Sequence, residues 1–573
     1  MGGEVPRPMT AIYELADRYV EAEARLDPCR ATLRGLSAGR TEMTDYSPDG
    51  IAARDDHTKS TLAELDRLQP VSEDDRLAKA VMAERLGSEL ELSRSGENLR
   101  PLRVIGGAVQ LPRQVFDLMP RETEDDWDVI ATRLDRVPVA LEGLRKSLDE
   151  GLSRNVAAAR RQALACAGQA EVWAGSGAQA QSFFARLVEG TAVTDPPRGR
   201  LERAAETAAS AYGDLGRYLR EVYAPRAPER DSSGRERYLI LARNCLGVDL
   251  DPEDAYGWGW AEVHRLEVVM NEVAAQIDPS ASLLEVVELL ETDPARSIEG
   301  ADNLRGWLQN LMDRAVADLD GTHFDIAEPI RRVEAMLATE GGAAAMYYTG
   351  PSEDGRTPGR TWYPVRGRSR FPLWGEASIA YHEGVPGHHL QIAVVRVVAQ
   401  HLSRFQRTMV FVPGYSEGWA LYAERLMEEL GFLDNPDHKL GMLRAQRFRA
   451  ARVVADIGMH LELRVPADED FHPGETWTAE LGREFLARHS MFDSDFVASE
   501  IDRYLGWPAQ AITYKLGERV WLQLRDQVRQ LLGRDFVLKD FHSKALNLGP
   551  MGLDQLAVEL PALFARSEPT TGP

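Results

Sequence analysis

The sequence predicts a mainly α-helical fold of many helices with one small β-hairpin. Apolar residues recur at helical spacing along most of the 573-residue chain, and several of these stretches begin at a serine or threonine that can cap a helix. Gly and Pro cluster between the stretches and limit them. Hydrophobic residues form 44% of the chain, enough for a large core and two or more lobes.

Capping signals mark the start of individual helices. Ser72 precedes a helical pattern whose first turn resembles a capping box with Asp75 in place of glutamate. Thr123 similarly precedes a long apolar run that continues to Leu144, and Ser282 precedes a third run. Each of these residues is expected to be the N-cap of a helix.

Polar segments that contain proline interrupt the helical pattern. Two such segments lie at residues 187–200 and 224–236, after an alanine-rich span at 156–185 that favours helix. The second segment is a reasonable domain boundary. We therefore expect an N-terminal helical lobe at 1–230 and a second helical domain at 231–573.

One region departs from the helical pattern. Residues 345–349 and 360–365 have the composition of short strands, and the loop 350–359 between them is rich in turn formers. The expected β element lies near 345–366. Its exposed edge could hold an extended peptide by main-chain hydrogen bonds, or it could be a surface hairpin with no substrate role.

Composition excludes several classes of protein. A formal net charge of −23 argues against general binding to nucleic acid or to an anionic membrane. The three cysteines are far apart, which argues against a disulfide scaffold and fits a reducing cytoplasm. The N-terminus lacks the apolar core of a signal peptide, and no apolar run is long enough to span a membrane.

The segment from His382 to Gln391 carries the strongest chemical signal. Three of the 12 histidines lie at positions 382, 388 and 389, and Glu383 follows the first of them directly. Imidazole is the commonest zinc ligand, and a carboxylate beside a metal-bound water can take its proton. The segment therefore predicts a hydrolytic site with one zinc ion per chain.

The spacing of these histidines requires a distorted helix. The fourth residue after His382 is Pro386, which cannot bind a metal, and six positions along an ideal helix would place His388 on the opposite face. Pro386 and Gly387 favour a break or a widened turn that could return His388 to His382. His389 shares the face of His382 but lies about 10.5 Å along the axis, so it is the alternative second ligand.

A third ligand is expected on another helix. Glu417 follows a Pro-Gly turn at the start of a helical pattern, 29 residues after His388. Two histidines and one glutamate leave a fourth position for water, as in catalytic zinc sites. Glu424 lies seven positions later on the same face, where it could orient a ligand or form a surface salt bridge.

Three blocks of this sequence resemble the DUF885 family of bacterial proteins: residues 382–391, 416–424 and 508–517. The resemblance covers roughly residues 230–560 well. The family is similar to gluzincin-type metallopeptidases, in which Asn-Glu-Gly often carries the third ligand, as Ser416-Glu417-Gly418 would here. The resemblance implies a two-lobed helical fold with a deep central channel, and its longer histidine spacing departs from the gluzincin pattern.

Roles for the remaining residues follow from this chemistry. Glu383 is the expected general base, which would pass the proton to the leaving amine of a peptide or amide substrate. Tyr514, in the third block, is the candidate donor to the oxyanion, and Gln510 is expected one helical turn before it. Arg356 is a candidate partner for a substrate carboxylate, and His389 a further substrate-binding candidate.

Two other functions fit parts of the sequence. Gly414-Tyr415-Ser416-Glu417-Gly418 matches the nucleophile elbow of serine hydrolases, with residues 408–412 as the preceding strand and Ser416 as the nucleophile. The chain could also be a non-catalytic, metal-binding helical interaction protein. Chelation separates the first alternative from a zinc enzyme, and a Glu383→Gln substitution separates the second.

Overall fold

The computed structural model describes residues 9–176, 181–189, 197–338, 346–351, 357–365 and 367–565. The fold is mainly helical, as predicted, with two small sheets among the described residues. No described helix combines the length and the apolar composition needed to cross a bilayer. Arg356 and parts of the predicted segments at 156–185, 187–200 and 350–359 lie outside the described residues.

The chain forms two compact units. The first contains the described residues through Leu241 and also Ala498–Pro508. Its core consists of apolar residues from the helices that surround α10, among them Leu144, Cys166 and Tyr212. The helices that lie wholly within its part up to Leu241 are α1 Ala11–Leu26, α2 Pro28–Leu33, α3 Pro48–Arg67, α4 Glu73–Arg94, α5 Leu111–Leu118, α6 Glu124–Leu134, α7 Val137–Ser153, α8 Arg160–Ala174, α9 Phe183–Glu189 and α10 Pro197–Tyr218.

The second unit contains Ala242–Val497 and the described residues from Ala509 onward. Helix α11 (Arg235–Leu246) runs across the first boundary and α21 (Ser494–Gly506) across the second. The other helices are α12 Pro252–Ile277, α13 Leu283–Thr292, α14 Ala301–Leu319, α15 Glu376–Glu383, α16 His388–Val397, α17 Arg404–Thr408, α18 Pro413–Glu429, α19 Pro436–Leu461, α20 Ala479–Ser490, α22 Thr513–Leu532, α23 Leu538–Asn547 and α24 Leu553–Ala565.

The predicted N-caps are all present. Thr123 and Ser282 form complete capping boxes with Asp126 and Glu285. The Ser72 hydroxyl accepts a hydrogen bond from the Asp75 backbone N–H. The Asp75 carboxylate accepts hydrogen bonds from the Val71 backbone N–H and the Thr10 hydroxyl, so it does not complete a capping box.

The long run predicted after Thr123 is two helices and not one. Helix α6 ends at Leu134, and α7 begins at Val137 with Pro138 in its first turn. Proline has no N–H and clashes with a preceding helical turn, so it favours the start of a new helix.

The predicted hairpin is present as part of a three-stranded sheet. Strand β3 (Tyr347–Thr349) pairs antiparallel with β4 (Gly359–Tyr363), and β2 (Val333–Leu337) adds a parallel neighbour on the other side of β4. A second, two-stranded sheet joins β1 (Ser297–Glu299) to β5 (Arg370–Pro372). Strands β1, β2 and β5 were not predicted, because their three to five residues carry too little pattern.

The strand expected at residues 408–412 is wrong. Ser403 and Gln406 form a capping box that starts the short helix α17, which ends at Thr408. The described residues between α17 and α18 form no strand. The strand–turn–helix context that a nucleophile elbow requires is therefore missing before Ser416.

Candidate metal centre

The predicted helix distortion is a complete break between α15 and α16. Helix α15 ends at Glu383, a turn occupies residues 384–387, and α16 begins at His388. Gly387 passes so close to the end of α15 that an added Cβ atom would lie 2.0 Å from the His382 carbonyl oxygen. Trp419 of α18 donates a 2.9 Å hydrogen bond to the Pro386 carbonyl and fixes the turn.

This break brings the first and second histidines together. The rings of His382 and His388 lie 4.9 Å apart, centroid to centroid, at nearly right angles. Glu417, the fifth residue of α18, points its Oε2 atom at both rings, 3.5 Å from His382 Nε2 and 3.4 Å from His388 Nε2. One ligand atom from each of the three residues lies within 4.8 Å of the other two.

The geometry of this trio fits a zinc ion. Glu417 Oε2 is buried and has no hydrogen-bond partner among the described residues, because both imidazole nitrogens lie beyond ordinary hydrogen-bond length. Two ligand atoms that are each about 2.0–2.1 Å from a tetrahedral zinc ion lie roughly 3.4 Å apart, which matches the observed separations. Three protein ligands of this type leave one coordination position open.

Glu424 orients the first histidine. Its fully buried carboxylate accepts a 2.7 Å hydrogen bond from His382 Nδ1 and another from the Ser378 hydroxyl. This contact places the proton on Nδ1 and leaves Nε2 free as a metal ligand. Burial alone would lower the pKa of His382, but Glu417 and Glu424 raise it to about 9, and a metal ion at Nε2 would take the place of the second proton that these carboxylates favour.

The second histidine has a weaker partner. His388 Nδ1 lies 3.4 Å from Ser416 Oγ, and the Ser416 hydroxyl donates to Gln391 Oε1 at 3.1 Å. The serine proton is therefore directed away from the imidazole. A serine nucleophile would instead donate its proton to histidine. This arrangement fits a residue that orients a metal ligand better than it fits a nucleophile.

Glu383 lies beside the trio with an available carboxylate. The residue is 7% exposed, and its carboxylate forms no hydrogen bond with the part of the chain that the structure describes. Burial raises the pKa of Glu383, although the nearby imidazoles of His388 and His382 oppose the shift. A mostly buried carboxylate next to a metal position and without a fixed partner is suited to accept a proton from water.

The structure also brings Tyr514 to the site. Its ring stacks on that of His382 with a centroid separation of 6.5 Å and an interplanar angle of 18°. Gln510, four residues before Tyr514, is also buried. Helix α22 begins only at Thr513, so the prediction that one helical turn separates Gln510 from Tyr514 is wrong. Ala509, with its φ of 65°, and the turn that follows it delay the start of the helix.

His389 does not join the trio. Its Nε2 atom donates to the Ile330 carbonyl at 2.8 Å, and its Nδ1 atom accepts from the Tyr348 hydroxyl at 3.0 Å. Burial lowers the pKa of His389 to about 4, so the ring is neutral. With both nitrogens bonded inside the protein, His389 anchors α16 to the small sheet and is not free to bind substrate.

Two arginines of α19 were missed by the sequence analysis. Arg449 Nη2 lies 3.6 Å from Glu424 Oε1, and the guanidinium of Arg452 lies 4.9 Å from the centre of the Tyr514 ring. A signal was present, since arginine recurs at 444, 447, 449 and 452 among the apolar residues of the helix. Buried arginines in such a stretch indicate internal partners or a ligand.

The fold and the trio together define a mainly helical protein with a candidate zinc centre built from three helices. The chain belongs to a family described as a bacterial protein of unknown function (DUF885), whose family model matches residues 28–560. No curated protein matches the sequence.

Two solved structures share the fold over almost their whole length. One is a candidate lipoprotein from Colwellia psychrerythraea, 24% identical, with a TM-score of 0.84 over 97% of this chain and 99% of that one. The other is a candidate lipoprotein of unknown function from Shewanella oneidensis, 14% identical, with a TM-score of 0.73 over 96% and 99%. At these identities the likeness establishes the fold alone.

Proposed function

We propose that the protein is a zinc-dependent hydrolase that cleaves peptide or amide bonds in the cytoplasm. The observation that carries the proposal is the buried Glu417 oxygen between two imidazole nitrogens, with the available Glu383 carboxylate beside them. The similarity of residues 416–418 to the third-ligand motif of gluzincin metallopeptidases supports the same function.

Each residue of the site has a separate role in the proposed hydrolysis. His382, His388 and Glu417 would hold one zinc ion, which supplies a Lewis acid and lowers the pKa of bound water. Glu383 accepts a proton from the attacking water and returns it to the leaving amine. Tyr514, stacked beside His382, donates its phenolic proton in a hydrogen bond to the developing oxyanion.

Substitution of the general base tests the proposal. We expect Glu383→Gln to keep zinc at one ion per chain and to lose at least about 100-fold in turnover of a peptide library, because a neutral amide cannot accept the proton. Metal content is measured on the purified protein by mass spectrometry, and cleavage by product analysis. Glu376→Gln, at the start of the same helix, is the matched control and should keep both.

Other outcomes identify other functions. Full activity of Glu383→Gln would contradict the mechanism, and failure to bind zinc after reconstitution would contradict the site. If zinc binds and no bond of the library is cleaved, the non-catalytic metal-binding alternative gains support. If chelation leaves cleavage intact while Ser416→Ala abolishes it, the serine hydrolase is supported instead.

A further inference from the structure

Arg449 places a largely buried cation next to the metal centre. Its side chain is 14% exposed, and its Nε atom is buried without a hydrogen-bond partner. Its contact with Glu424 Oε1, at 3.6 Å, is an ion pair but is longer than a hydrogen bond. None of the described residues accepts a hydrogen bond from this guanidinium.

Unsatisfied donors of this kind call for an acceptor. A guanidinium offers five N–H groups in a planar fork, and buried polar groups without partners are costly. Glu424 does not satisfy them in this arrangement, because its nearest oxygen lies 3.6 Å from Arg449 Nη2, and its carboxylate is held by His382 and Ser378. The fork of Arg449 therefore suits an additional planar anion, and carboxylate is the planar anion that it matches in a bidentate fashion.

The position of Arg449 relates this anion to the reacting bond. Arg449 and the metal ligand His382 contact the same oxygen of Glu424, at 3.6 and 2.7 Å. Its guanidinium also lies 5.6 Å from the centre of the Tyr514 ring. One residue of extended chain spans about 3.5 Å, so the C-terminal carboxylate of a substrate lies only about that far beyond its last peptide bond, which is the scale of the separation between Arg449 and Glu424. The guanidinium of Arg452, 4.9 Å from the centre of the same ring, adds positive charge.

We propose that Arg449 binds the C-terminal carboxylate of the substrate, so that the enzyme removes residues from free C-termini or cleaves dipeptides. The inference rests on the proposed hydrolytic function and narrows its substrate class. A free carboxylate becomes a requirement of the substrate, and internal bonds of long chains are poor substrates. Substrates that lack the anion leave the guanidinium without a hydrogen-bond acceptor, which reduces their rate of cleavage.

The first test compares two substrate libraries on the zinc-loaded full-length protein. One tripeptide library has free C-terminal acids, and the other carries the same sequences as C-terminal amides. We expect kcat/KM to be about 10- to 100-fold higher for the acids, the range for a hydrogen bond to a charged group. Arg449→Met should lower cleavage of the acids to the level of the amides, and Arg449→Lys should recover part of the difference.

Lys439→Met is the matched control. Lys439 lies on the same helix, ten residues earlier, and pairs with Glu428 at 2.6 Å. This variant should keep the preference for acids. Zinc content and the midpoint of thermal unfolding of each variant show whether the fold and the metal survive. Equal cleavage of acids and amides by the wild type, or an equal loss for both libraries in Arg449→Met, would overturn the proposal.

The second test does not require turnover. Calorimetry compares N-acetyl amino acids with their amides, using aliphatic, aromatic, acidic and basic side chains, on metal-free protein so that the carboxylate has no ion to bind. At least one acid should bind about tenfold or more tightly than its amide, and Arg449→Met should remove the difference. A preference with no cleavage would reject the hydrolase but keep the anion site. No preference for any pair, or one that survives in Arg449→Met, would reject the anion site.

Discussion

At the scale of single residues, the two histidines of the candidate centre differ in how they are oriented. His382 donates to the charged, fully buried Glu424, whereas His388 faces the neutral Ser416 hydroxyl at a longer distance. A carboxylate partner raises the basicity of an imidazole ligand and fixes its tautomer more firmly than a hydroxyl does. The first histidine is therefore the better anchored of the two.

Zinc affinity should reflect this difference. We expect Glu424→Gln to weaken zinc binding by about 10- to 100-fold, because the amide keeps a contact with His382 but loses the charge. Ser416→Ala should weaken it less. Competition against a fluorescent zinc indicator measures both affinities.

Glu428→Gln is the control for this comparison. Glu428 lies four residues after Glu424 on α18, is partly exposed and pairs with Lys439, so its loss removes the same charge away from the centre. Its zinc affinity should equal that of the wild type. Wild-type affinity in Glu424→Gln would show that the buried carboxylate does not tune the site.

The sequence predicted the residues of the centre better than their surroundings. His382, Glu383, His388 and Glu417 could be found because three of them lie in one short segment and the fourth follows a recognisable turn. The partners of His389 could not, because Ile330 is 59 residues away and its backbone carbonyl leaves no trace in the sequence.

At the scale of elements, two glycines set the distance between α18 and α22. A Cβ atom on Gly418 would lie 2.4 Å from the Gly517 backbone, and one on Gly517 would lie 2.2 Å from the Gly414 carbonyl oxygen. The helices carry Glu417 and Tyr514 on either side of this contact. Close approach of the two backbones therefore positions a metal ligand and the expected oxyanion donor together.

A methyl group at this contact should separate the helices. We expect Gly517→Ala to lower the free energy of unfolding by about 1–3 kcal/mol, the usual cost of overpacking, and to weaken zinc binding as Glu417 moves. Urea unfolding followed by circular dichroism measures the first effect.

Gly257→Ala is the matched control for the helix. Gly257 lies within α12, and an added Cβ atom would meet no atom within 4 Å. This change should raise stability by about 0.5–1 kcal/mol, because alanine favours helix over glycine. Gly517→Ala as stable as the wild type would show that the two helices can separate without cost.

Elements were predictable where their signals are local. Pro386 and Gly387 predict a break in the helix, and capping residues predict helix starts, because each of these residues affects the backbone only within a few positions. The parallel strand β2 pairs with β4 across about 25 residues, and no local pattern indicates that partnership.

At the scale of the whole molecule, one buried ion cluster joins three helices. Lys515 of α22 lies within hydrogen-bond distance of Glu518, of Gln446 from α19 and of Glu262 from α12. Burial alone would raise the pKa of Glu262, but Arg265 and Lys515 hold it at about 2. The ionised form of Glu262 is thus tied to the folded state.

This linkage should appear as acid sensitivity. The ordinary glutamate pKa of 4.5 exceeds the folded value of about 2, so the contribution is complete above pH 4.5 and is lost as pH falls toward 2. A difference of that size corresponds to about 3 kcal/mol. We expect Glu262→Gln to be less stable than the wild type at pH 7 and to show less than half of that deficit at pH 3, as measured by urea unfolding.

Glu272→Gln, on an exposed part of the same helix, should follow the wild type at both pH values. A deficit in the stability of Glu262→Gln that is the same at pH 3 and pH 7 would mean that packing, and not ionisation, is responsible.

The fold class was predictable from the sequence because helical periodicity extends over the chain. The pairing of Glu262 with Lys515 spans 253 positions and was not predictable, because no local pattern indicates it.

The break between α15 and α16 has a consequence for how the centre could fail. Ligands on one continuous helix are aligned by that helix alone, but here the two histidines depend on the turn between α15 and α16, and Glu417 depends on the packing of α18 against them. A bound ion would join three helices, and a shift of any one of them would weaken its binding. Metal retention would therefore report on the integrity of this region before the protein as a whole unfolds.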